Sequence, residues 1–418
     1  MRSKMRQQIL WIPALLTCLS LSGSPATIAQ NRTGHLGSLQ AEASVQHVQV
    51  ALAPEEPSWS LLDGSSVVTA RIGTSVVFDS PTNQMIIFAG FDERGTLNDV
   101  AAVKNANGLG GAPIWDSLIG DGASGSPPRR SGHTAVYDEA NSRMIVFAGC
   151  TTTPGPDGEC ILPALNDVWV LSNANRVGGT PAWIKLSPAG APPAGRVNHT
   201  AVYDSGTNSM ITFAGNDGTF QTNGNFSDVW VLSNANGLGG TPTWTQVFPT
   251  GGPAEGKLAA SAVYNPTSNV MTVFGGLVDQ NVGTFTNSVW TLSNANGQGG
   301  TPTWTNIVAD GAPGSPMKRS FGTAVHDAVA NRMIIFGGAV SGMSFLASND
   351  VWVLSNADGT GGTPVWTQLD LIGVKPVERG QHAAAYDATN KRMMIFGGSG
   401  PEGIFFSTWV LTNATGID

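Results

Sequence analysis

A segment that returns at a regular spacing constrains this sequence more than any other feature. At 166–175 it reads Asn-Asp-Val-Trp-Val-Leu-Ser-Asn-Ala-Asn. Each copy follows an apolar run that ends in Ala-Gly or Gly-Gly, and that run follows a segment of the type Arg-x-x-His. The unit is therefore a block of about sixty residues seen six times, and each block must bury its apolar surface against its neighbours. Close copies lie at 228–236, 288–296 and 350–358, and looser copies at 98–107 and 407–414.

The second block shows what one unit contains. Residues 130–138, 143–149 and 167–171 have the β-branched composition, the apolar run and the period-two alternation that are typical of strands. A connector rich in turn residues then leads to a fourth strand at Trp183. Four antiparallel strands, a to d, in each of six blocks predict an all-β fold, a six-bladed β-propeller. The 53 glycines, 25 prolines and only 12% charged residues suit short strands joined by tight turns.

The spacing of the tryptophans indicates the number of blades and predicts how the ring closes. Blade six ends near Ala414 without a strand d, whereas residues 57–62 have the strand-d form and precede the first strand a. We therefore predict that the N-terminal strand around Trp59 completes the last blade. Repeated tryptophans are core positions between blades and not a ligand cage. They are Trp115, Trp183, Trp244, Trp304 and Trp366 in strand d, and Trp169, Trp230, Trp290, Trp352 and Trp409 in strand c, where blade one has Ala101.

The N-terminal region has the features of an export signal. Residues 1–6 are positively charged, residues 9–21 are apolar, and small residues follow at Ala26 and Ala29. The mature protein should be secreted or periplasmic, and no later segment is long and apolar enough to span a membrane. The residues before Cys18 match a lipoprotein box poorly, so we expect no lipid anchor there. The predicted divisions are a signal peptide over 1–29, a flexible leader over 30–55 and one propeller over 56–418.

Charge and cysteine content limit the partners and the compartment. A net charge of −8 argues against nucleic acid, because phosphate binding needs a clustered positive surface. Cys150 and Cys160 remain in the exported chain once Cys18 is removed, and an even pair at that spacing predicts a disulfide that staples a loop. Its stabilising effect should be about 2–3 kcal/mol. We expect the protein to be a monomer.

The motifs resemble those of the Kelch repeat, found in galactose oxidase and in the animal Kelch adaptors of ubiquitin ligases. They are the Arg-x-x-His segment, the late tryptophan and a strand that ends in Gly-Gly at 275–276, 337–338 and 397–398. The period is longer than the usual Kelch ~50 residues because of the connector Ser-Asn-Ala-Asn-Gly-x-Gly-Gly-Thr-Pro, which resembles that of several exported bacterial Kelch-like proteins. The resemblance covers nearly all of the mature chain. It implies the fold strongly and the function weakly, because such propellers include enzymes, sugar binders and protein-binding adaptors.

Strand polarity places the loops on two faces. The a–b turns and c–d connectors lie on one face, here called the far face, and are nearly identical among blades. The b–c loops lie on the opposite face, here called the b–c face, and share almost no sequence. A surface that grips one ligand must break the symmetry, so we predict that the ligand binds on the b–c face. The loops that differ are 150–165, 216–226, 277–286, 339–347 and 399–406.

A cation precedes every strand a on the b–c face. In the animal Kelch adaptors, arginines at the matching place engage acidic peptides, so the resemblance implies an anionic ligand, an acidic glycan or peptide. The alternative is that each cation pairs with an acidic residue at the start of strand c, such as Asp99, Asp167, Asp228 or Asp350, and ties blades together. The six cations are Arg71, Arg130, Arg196, Lys257, Arg319 and Arg379.

No motif indicates a metal, a cofactor or a catalytic residue. His133, His199 and His382 occupy one strand-a position in separate blades and are expected to be structural, since a metal needs nitrogens that converge at ~2.1 Å. All four tyrosines share one repeated position and no cysteine is spare, which argues against the copper chemistry of galactose oxidase. Nucleophile-elbow, P-loop and His-Glu-x-x-His motifs are missing from the sequence.

The sequence therefore predicts an exported, non-catalytic binding or scaffold module for a protein or glycan ligand. The alternative is a carbohydrate-active enzyme that resembles the Kelch sialate mutarotases, with Arg and Asp side chains at the channel mouth doing the chemistry. An enzyme would need an asymmetric acid or base with a shifted pKa in that mouth, whereas a binding module needs only shape and charge.

Overall fold

The computed structural model describes residues 56–62, 67–152, 160–161, 163–219, 224–252, 255–279, 283–340 and 346–416. The predicted signal peptide and leader lie outside these residues. Within them the chain forms six four-stranded antiparallel sheets. The prediction of an all-β, six-bladed propeller is confirmed.

The blades follow the chain order, with strand a innermost and strand d outermost. The chain begins with β1 (Ser58–Leu61), which belongs to blade six. Blade one contains β2 (Ser75–Asp79), β3 (Gln84–Asp92), β4 (Gly95–Lys104) and β5 (Ile114–Ile119). Blade two contains β6 (Thr134–Asp138), β7 (Arg143–Phe147), β8 (Val168–Ser172) and β9 (Ala182–Lys185). Blade three contains β10 (Thr200–Asp204), β11 (Ser209–Phe213), β12 (Val229–Ser233) and β13 (Thr243–Val247).

Blades four and six each carry an additional two-stranded hairpin in the b–c loop. Blade four contains β14 (Ser261–Asn265), β15 (Val270–Phe274), the hairpin β16 (Leu277–Asp279) and β17 (Thr284–Phe285), β18 (Val289–Ser293) and β19 (Thr303–Val308). Blade five contains β20 (Thr323–Asp327), β21 (Arg332–Ala339), β22 (Ala347–Ser355) and β23 (Val365–Gln368). Blade six contains β24 (Ala383–Asp387), β25 (Arg392–Phe396), the hairpin β26 (Ser399–Gly400) and β27 (Gly403–Ile404), and β28 (Thr408–Thr412). Short 3-10 helices at Ser80–Thr82 and Glu139–Asn141 form the first two a–b turns.

Sequence pattern and burial agree strand by strand. Strand b is buried on both faces, as its continuous apolar run predicts, and Met144 to Phe147 in β7 are inaccessible to solvent. Strand c alternates, so that Val168 and Val170 are buried while Trp169 between them is half-buried. Burial of apolar surface on both faces of the middle strands is what stacks one blade on the next.

The N-terminal strand closes the ring, as predicted. Strand β1 pairs antiparallel with β28, with Trp59 opposite Leu411, and becomes strand d of blade six. Trp59 also packs on Phe336 of blade five, with ring centroids 5.0 Å apart. The same tryptophan–phenylalanine contact recurs at every blade boundary, so the strand-d tryptophans are inter-blade core. The other five pairs are Trp115–Phe396, Trp183–Phe88, Trp244–Phe147, Trp304–Phe213 and Trp366–Phe274.

A disulfide joins the two described ends of the b–c loop in blade two. Cys150 and Cys160 are bonded, with 5.7 Å between their Cα atoms, as the cysteine spacing predicts. Thr152 bridges to Cys160 across the same loop, and Ser131 ties Cys150 to the start of blade two. In the described part of the chain, no helix has the length and apolarity that crossing a membrane requires.

Candidate functional site

The b–c face differs from blade to blade in structure as well as in sequence. Blades one and five extend strands b and c into the loop, blades four and six add hairpins, and blade two carries the disulfide. The far face is more uniform. There, a c–d connector amide contacts a strand-a carboxylate of the preceding blade, as when Asn175 Nδ2 donates to Asp79 at 3.0 Å and Asn236 Nδ2 donates to Asp138 at 2.6 Å. The irregular face is the candidate site.

All six predicted cations are buried, because none is more than 2% exposed. In blade two, Arg130 Nη1 and Nη2 donate to the two oxygens of Asp167 at 2.8 and 3.0 Å. Nη1 also donates to the carbonyl of Ala148, and Nε donates to that of Pro128. Four of the N–H donors of this guanidinium are therefore used in hydrogen bonds inside its own blade. The same pairs form between Arg71 and Asp99, Arg196 and Asp228, and Arg319 and Asp350.

The backbone of each cation belongs to the preceding blade. The N–H of Arg130 donates to the carbonyl of Leu97, and its carbonyl accepts from Gly90, both in blade one. Arg71 makes the equivalent bonds to Phe405 and Gly398 of blade six, so that the series of ties closes on itself. This geometry agrees with the alternative in which the cations tie blades together. Contact between the six cations and a ligand stays a prediction.

The paired aspartates are held in the charged form. Burial acts to raise the pKa of Asp167, Asp228 and Asp350, but hydrogen bonds and charge from the partner arginine outweigh it and lower each pKa. In the same three blades, the indole N–H of the strand-c tryptophan donates to the carboxylate. In these three blades the buried guanidinium therefore has a compensating negative charge.

Blades four and six break this pattern. Serine stands where the other blades have aspartate, so Lys257 Nζ contacts Ser288 Oγ at 3.2 Å and Arg379 Nη1 contacts Ser407 Oγ at 3.2 Å. Neither cation forms an ion pair with a carboxylate among the described residues. Desolvation lowers the pKa of Lys257 to about 8 and that of Arg379 to about 10. The sequence shows this difference at the start of strand c, where Ser288 and Ser407 replace the aspartate of the other blades.

Lys257→Met is expected to raise the melting temperature at neutral pH. The pKa of Lys257 is about 8 in the folded protein and 10.5 for a lysine in water, so the unfolded chain binds more protons between these pH values. The lysine therefore opposes folding most strongly below pH 8, and its penalty fades as pH rises to about 10.5. Melting curves of both proteins from neutral to alkaline pH should show a gap that shrinks. A gap that is independent of pH would contradict the buried charge.

A closed belt of backbone hydrogen bonds surrounds the axis at the b–c end of the strands a. One residue per blade, the third of each Arg-x-x-His segment, donates its N–H to the carbonyl of the same residue in the preceding blade. Distances are 2.7 to 3.2 Å, and all six residues have positive φ. Because every belt amide already donates, only side chains are left to donate hydrogen bonds to a ligand here. The belt consists of Gly73, Gly132, Asn198, Ala259, Phe321 and Gln381.

The three repeated histidines lie in blade interfaces. Each packs edge-on against a phenylalanine of the preceding blade, with centroids 5.1 Å apart, as His133 does on Phe88. His199 and His382 hydrogen-bond threonines of other blades. Burial lowers the pKa of His133 and of His382 to about 3, so the rings are neutral. Within the described ranges, no cluster of three or more His, Cys, Asp or Glu is arranged to hold a metal.

Among the described residues, both exposed phenylalanines and the exposed methionine lie in the b–c loops and d–a linkers, whereas exposed Val, Leu and Ile side chains occur on both faces. Phe248 is 77% exposed, and Phe406 is 60% exposed. Such side chains on one irregular face are typical of protein-binding surfaces, in which Phe and Met are enriched. The others on this face are Val67, Ile161, Met317, Leu346, Ile372 and Val374.

The exposed charges of the same face are mostly negative. In its described loops and linkers the exposed carboxylates outnumber the exposed cations, and Arg94, Arg129 and Lys318 pair with aspartates. The face therefore has no continuous positive field that would steer a polyanion. The exposed carboxylates are Glu93, Asp121, Glu255, Asp310, Asp370, Glu378 and Glu402, and the exposed cations are Arg94, Arg129, Lys318 and Lys375.

A polar cavity of about 320 Å³ lies on the far face, between blades one and six. Its wall includes Asn83, Asn107 and Asp387, which already hydrogen-bond one another across the blade boundary. These side chains of the cavity therefore serve the hydrogen bonds between blades on the far face, and we do not assign them to a ligand.

Comparison with known proteins agrees with the repeat pattern. The sequence matches the family described as the KLHDC2/KLHL20/DRC7 Kelch-repeats domain over residues 114–237 and 239–415, more than half of the chain. It is 26% identical over 230 residues to a Rab9 effector protein with kelch motifs from Danio rerio, a match that covers 53% of this chain and 59% of that protein. The chain thus spans less than two thirds of that relative's length. It is also similar to the solved structure of YjhT, with a TM-score of 0.57 and 14% identity over 83% of this chain and 96% of that one, a likeness of fold alone.

Proposed function

The chain belongs to the Kelch-repeat family, and we propose that it is a non-catalytic module that binds a protein partner on its b–c face. The fold itself suggests a binding or scaffold role. The observation that carries the proposal is the set of exposed Phe, Met, Leu and Ile side chains on the one face where the blades differ. A module of this kind needs no reactive group in the channel mouth, and the shifted lysine, Lys257, is only 2% exposed.

The anionic character of the partner is the finer part of the proposal. Four of the six cations have their charge compensated within the blade, so only Lys257 and Arg379 add net positive charge beneath the loops. Exposed carboxylates act on both through their charge, Glu255 and Asp310 on Lys257 and Glu402 on Arg379. An acidic partner group would therefore engage blade four or blade six singly, within a contact that is largely apolar, and an extended polyanion such as an acidic glycan fits this face less well.

Export is proposed from residues 1–29 alone. A secreted or periplasmic location agrees with the disulfide between Cys150 and Cys160, because such bonds persist in oxidising compartments. The partner would then be an extracytoplasmic or extracellular protein.

Substitution of Phe406 by Ser should weaken partner binding by about tenfold or more, as loss of an exposed aromatic anchor does at protein interfaces. An array of acidic, neutral and basic peptides, with acidic and neutral glycans beside them, identifies the probe that binds the wild-type protein. Titration of that probe then compares the variant with Val329→Ser, the matched control. Val329 is 97% exposed, but it lies on the far face.

The control variant should retain wild-type affinity. The proposal fails if Val329→Ser loses the probe while Phe406→Ser keeps it, because the far face would then be the binding surface. If only glycans bind in the array, the proposal that the partner is a protein is wrong. Titration of the selected glycan against the same two variants would then identify the binding face.

A further inference from the structure

In blades two, three and five, here called the paired blades, the aspartate carboxylate accepts hydrogen bonds from three N–H donors. In blade two, Asp167 accepts from Arg130 Nη1 and Nη2 at 2.8 and 3.0 Å and from Trp169 Nε1 at 2.7 Å. A planar anion with two oxygens fits this fork because each guanidinium nitrogen meets one oxygen. Blades three and five repeat the arrangement with Arg196, Asp228 and Trp230, and with Arg319, Asp350 and Trp352.

Blade six keeps the donors and replaces the acceptor. The hydroxyl of Ser407 lies 3.2 Å from Arg379 Nη1 and 3.3 Å from Trp409 Nε1, longer than the corresponding bonds to aspartate. Among the described residues, the hydrogen bonds of Arg379 are made by Nε and Nη1, and Nη2 makes none. The carbonyls of Val377 and Gly397 accept from Nε and Nη1 at 3.0 Å, as the matching carbonyls do in the other blades. The guanidinium is therefore held in the orientation that elsewhere receives a carboxylate.

Charge and access both favour an anion at this place. Arg379 is 1% exposed, and desolvation lowers its pKa to about 10, which shows the cost of its uncompensated charge. Glu402 acts in the opposite direction through its charge, but it is exposed and forms no ion pair with Arg379. The ring of Phe405 covers one face of the guanidinium, with 4.3 Å from Cζ to the ring centroid. The carboxylates at the equivalent place are 14 to 22% exposed, so solvent reaches it.

We propose that blade six binds a small monovalent anion, either chloride or a carboxylate of the size of formate, between Arg379, Trp409 and the hydroxyl of Ser407. The anion takes the place of the aspartate carboxylate of the other blades and completes the sixth tie of the ring. Blade four does not share the site, because Lys257 lacks the planar fork and loses its proton near pH 8. The site uses the same cation that the proposed function offers to an acidic partner group in blade six, but its test needs no partner.

The melting temperature of the full chain tests the proposal. Chloride is varied from about 1 to about 300 mM while gluconate, a much bulkier anion than chloride or formate, keeps the ionic strength constant and so removes general screening. Binding to the folded state alone should raise the melting temperature of the wild-type protein by about 1–3 °C over this range, and above the dissociation constant the rise should follow the logarithm of the anion concentration. A second series with formate separates a halide site from a carboxylate site.

Two variants make the result specific to blade six. Ser407→Asp supplies the carboxylate covalently, so its melting temperature should start higher and lose the dependence on chloride and formate. Asp350→Ser leaves Arg319 and Trp352 of blade five with a serine in place of the carboxylate, as in blade six, and should roughly double the rise. A rise in Ser407→Asp equal to that of the wild-type protein would overturn the proposal, as would the absence of any anion dependence in both the wild-type and Asp350→Ser proteins.

Discussion

Deletion of residues 56–62 is expected to open the propeller and to lower its melting temperature sharply. The segment contains β1, the outer strand of blade six, and so joins the first residues of the domain to the last strand of the chain. Without it, β28 becomes an exposed edge and Phe336 of blade five loses the indole that covers it. Trp59→Ala alone, at a side chain that is 6% exposed, should destabilise the protein by roughly 3–5 kcal/mol.

The closure can be separated from simple loss of packing. Trp183 makes the same contact with Phe88 at 4.8 Å, but its blade is formed from one continuous stretch of chain. Trp183→Ala should therefore destabilise the domain without any effect from added peptide. A synthetic 56–62 peptide should partly restore the melting temperature of the deleted protein, since it supplies the missing strand. If the deletion leaves the melting temperature unchanged, the ring does not depend on this strand.

The sequence predicted the architecture well because the fold repeats. A pattern seen six times averages out the ambiguity of any single strand, and the displaced Trp59 was enough to predict the closure that β1 makes with β28. The cysteine spacing likewise predicted the disulfide between Cys150 and Cys160. These predictions use local pattern and count alone, which sequence carries directly.

The site was less predictable because it depends on contacts that sequence does not show. Whether Arg130 faces solvent or a carboxylate is decided by Asp167, 37 positions away and on another strand. The belt needs left-handed backbone at Ala259, Phe321 and Gln381, residue types that give no sign of positive φ. Only the strand pairing imposes that conformation. The sequence shows Ser407 where the paired blades have aspartate. Only the geometry of those blades shows that Arg379 then lacks the carboxylate that pairs with the buried arginine.

Arg130→Ala should destabilise the propeller strongly. It leaves the carboxylate of Asp167, which is 14% exposed, without its guanidinium, and it frees the carbonyl of Ala148. Removal of one partner of a buried pair costs roughly 3–5 kcal/mol, because the remaining charge is buried and unpaired. The neighbouring Arg129 is the matched control. Its pair with Asp121 is 50% and 34% exposed, and Arg129→Ala should cost less than about 1 kcal/mol.

The coupling free energy between Arg130 and Asp167 tests most directly the claim that the repeated cations hold the ring while the irregular loops bind the partner. It is obtained from the unfolding free energies of the wild-type protein, Arg130→Ala, Asp167→Ala and the double variant, with the affinity for the array-selected probe measured on each folded protein. We predict a coupling of about 2–3 kcal/mol and no change in affinity. A coupling near zero, together with loss of the probe in Arg130→Ala, would contradict the claim and would make this cation a ligand-binding residue.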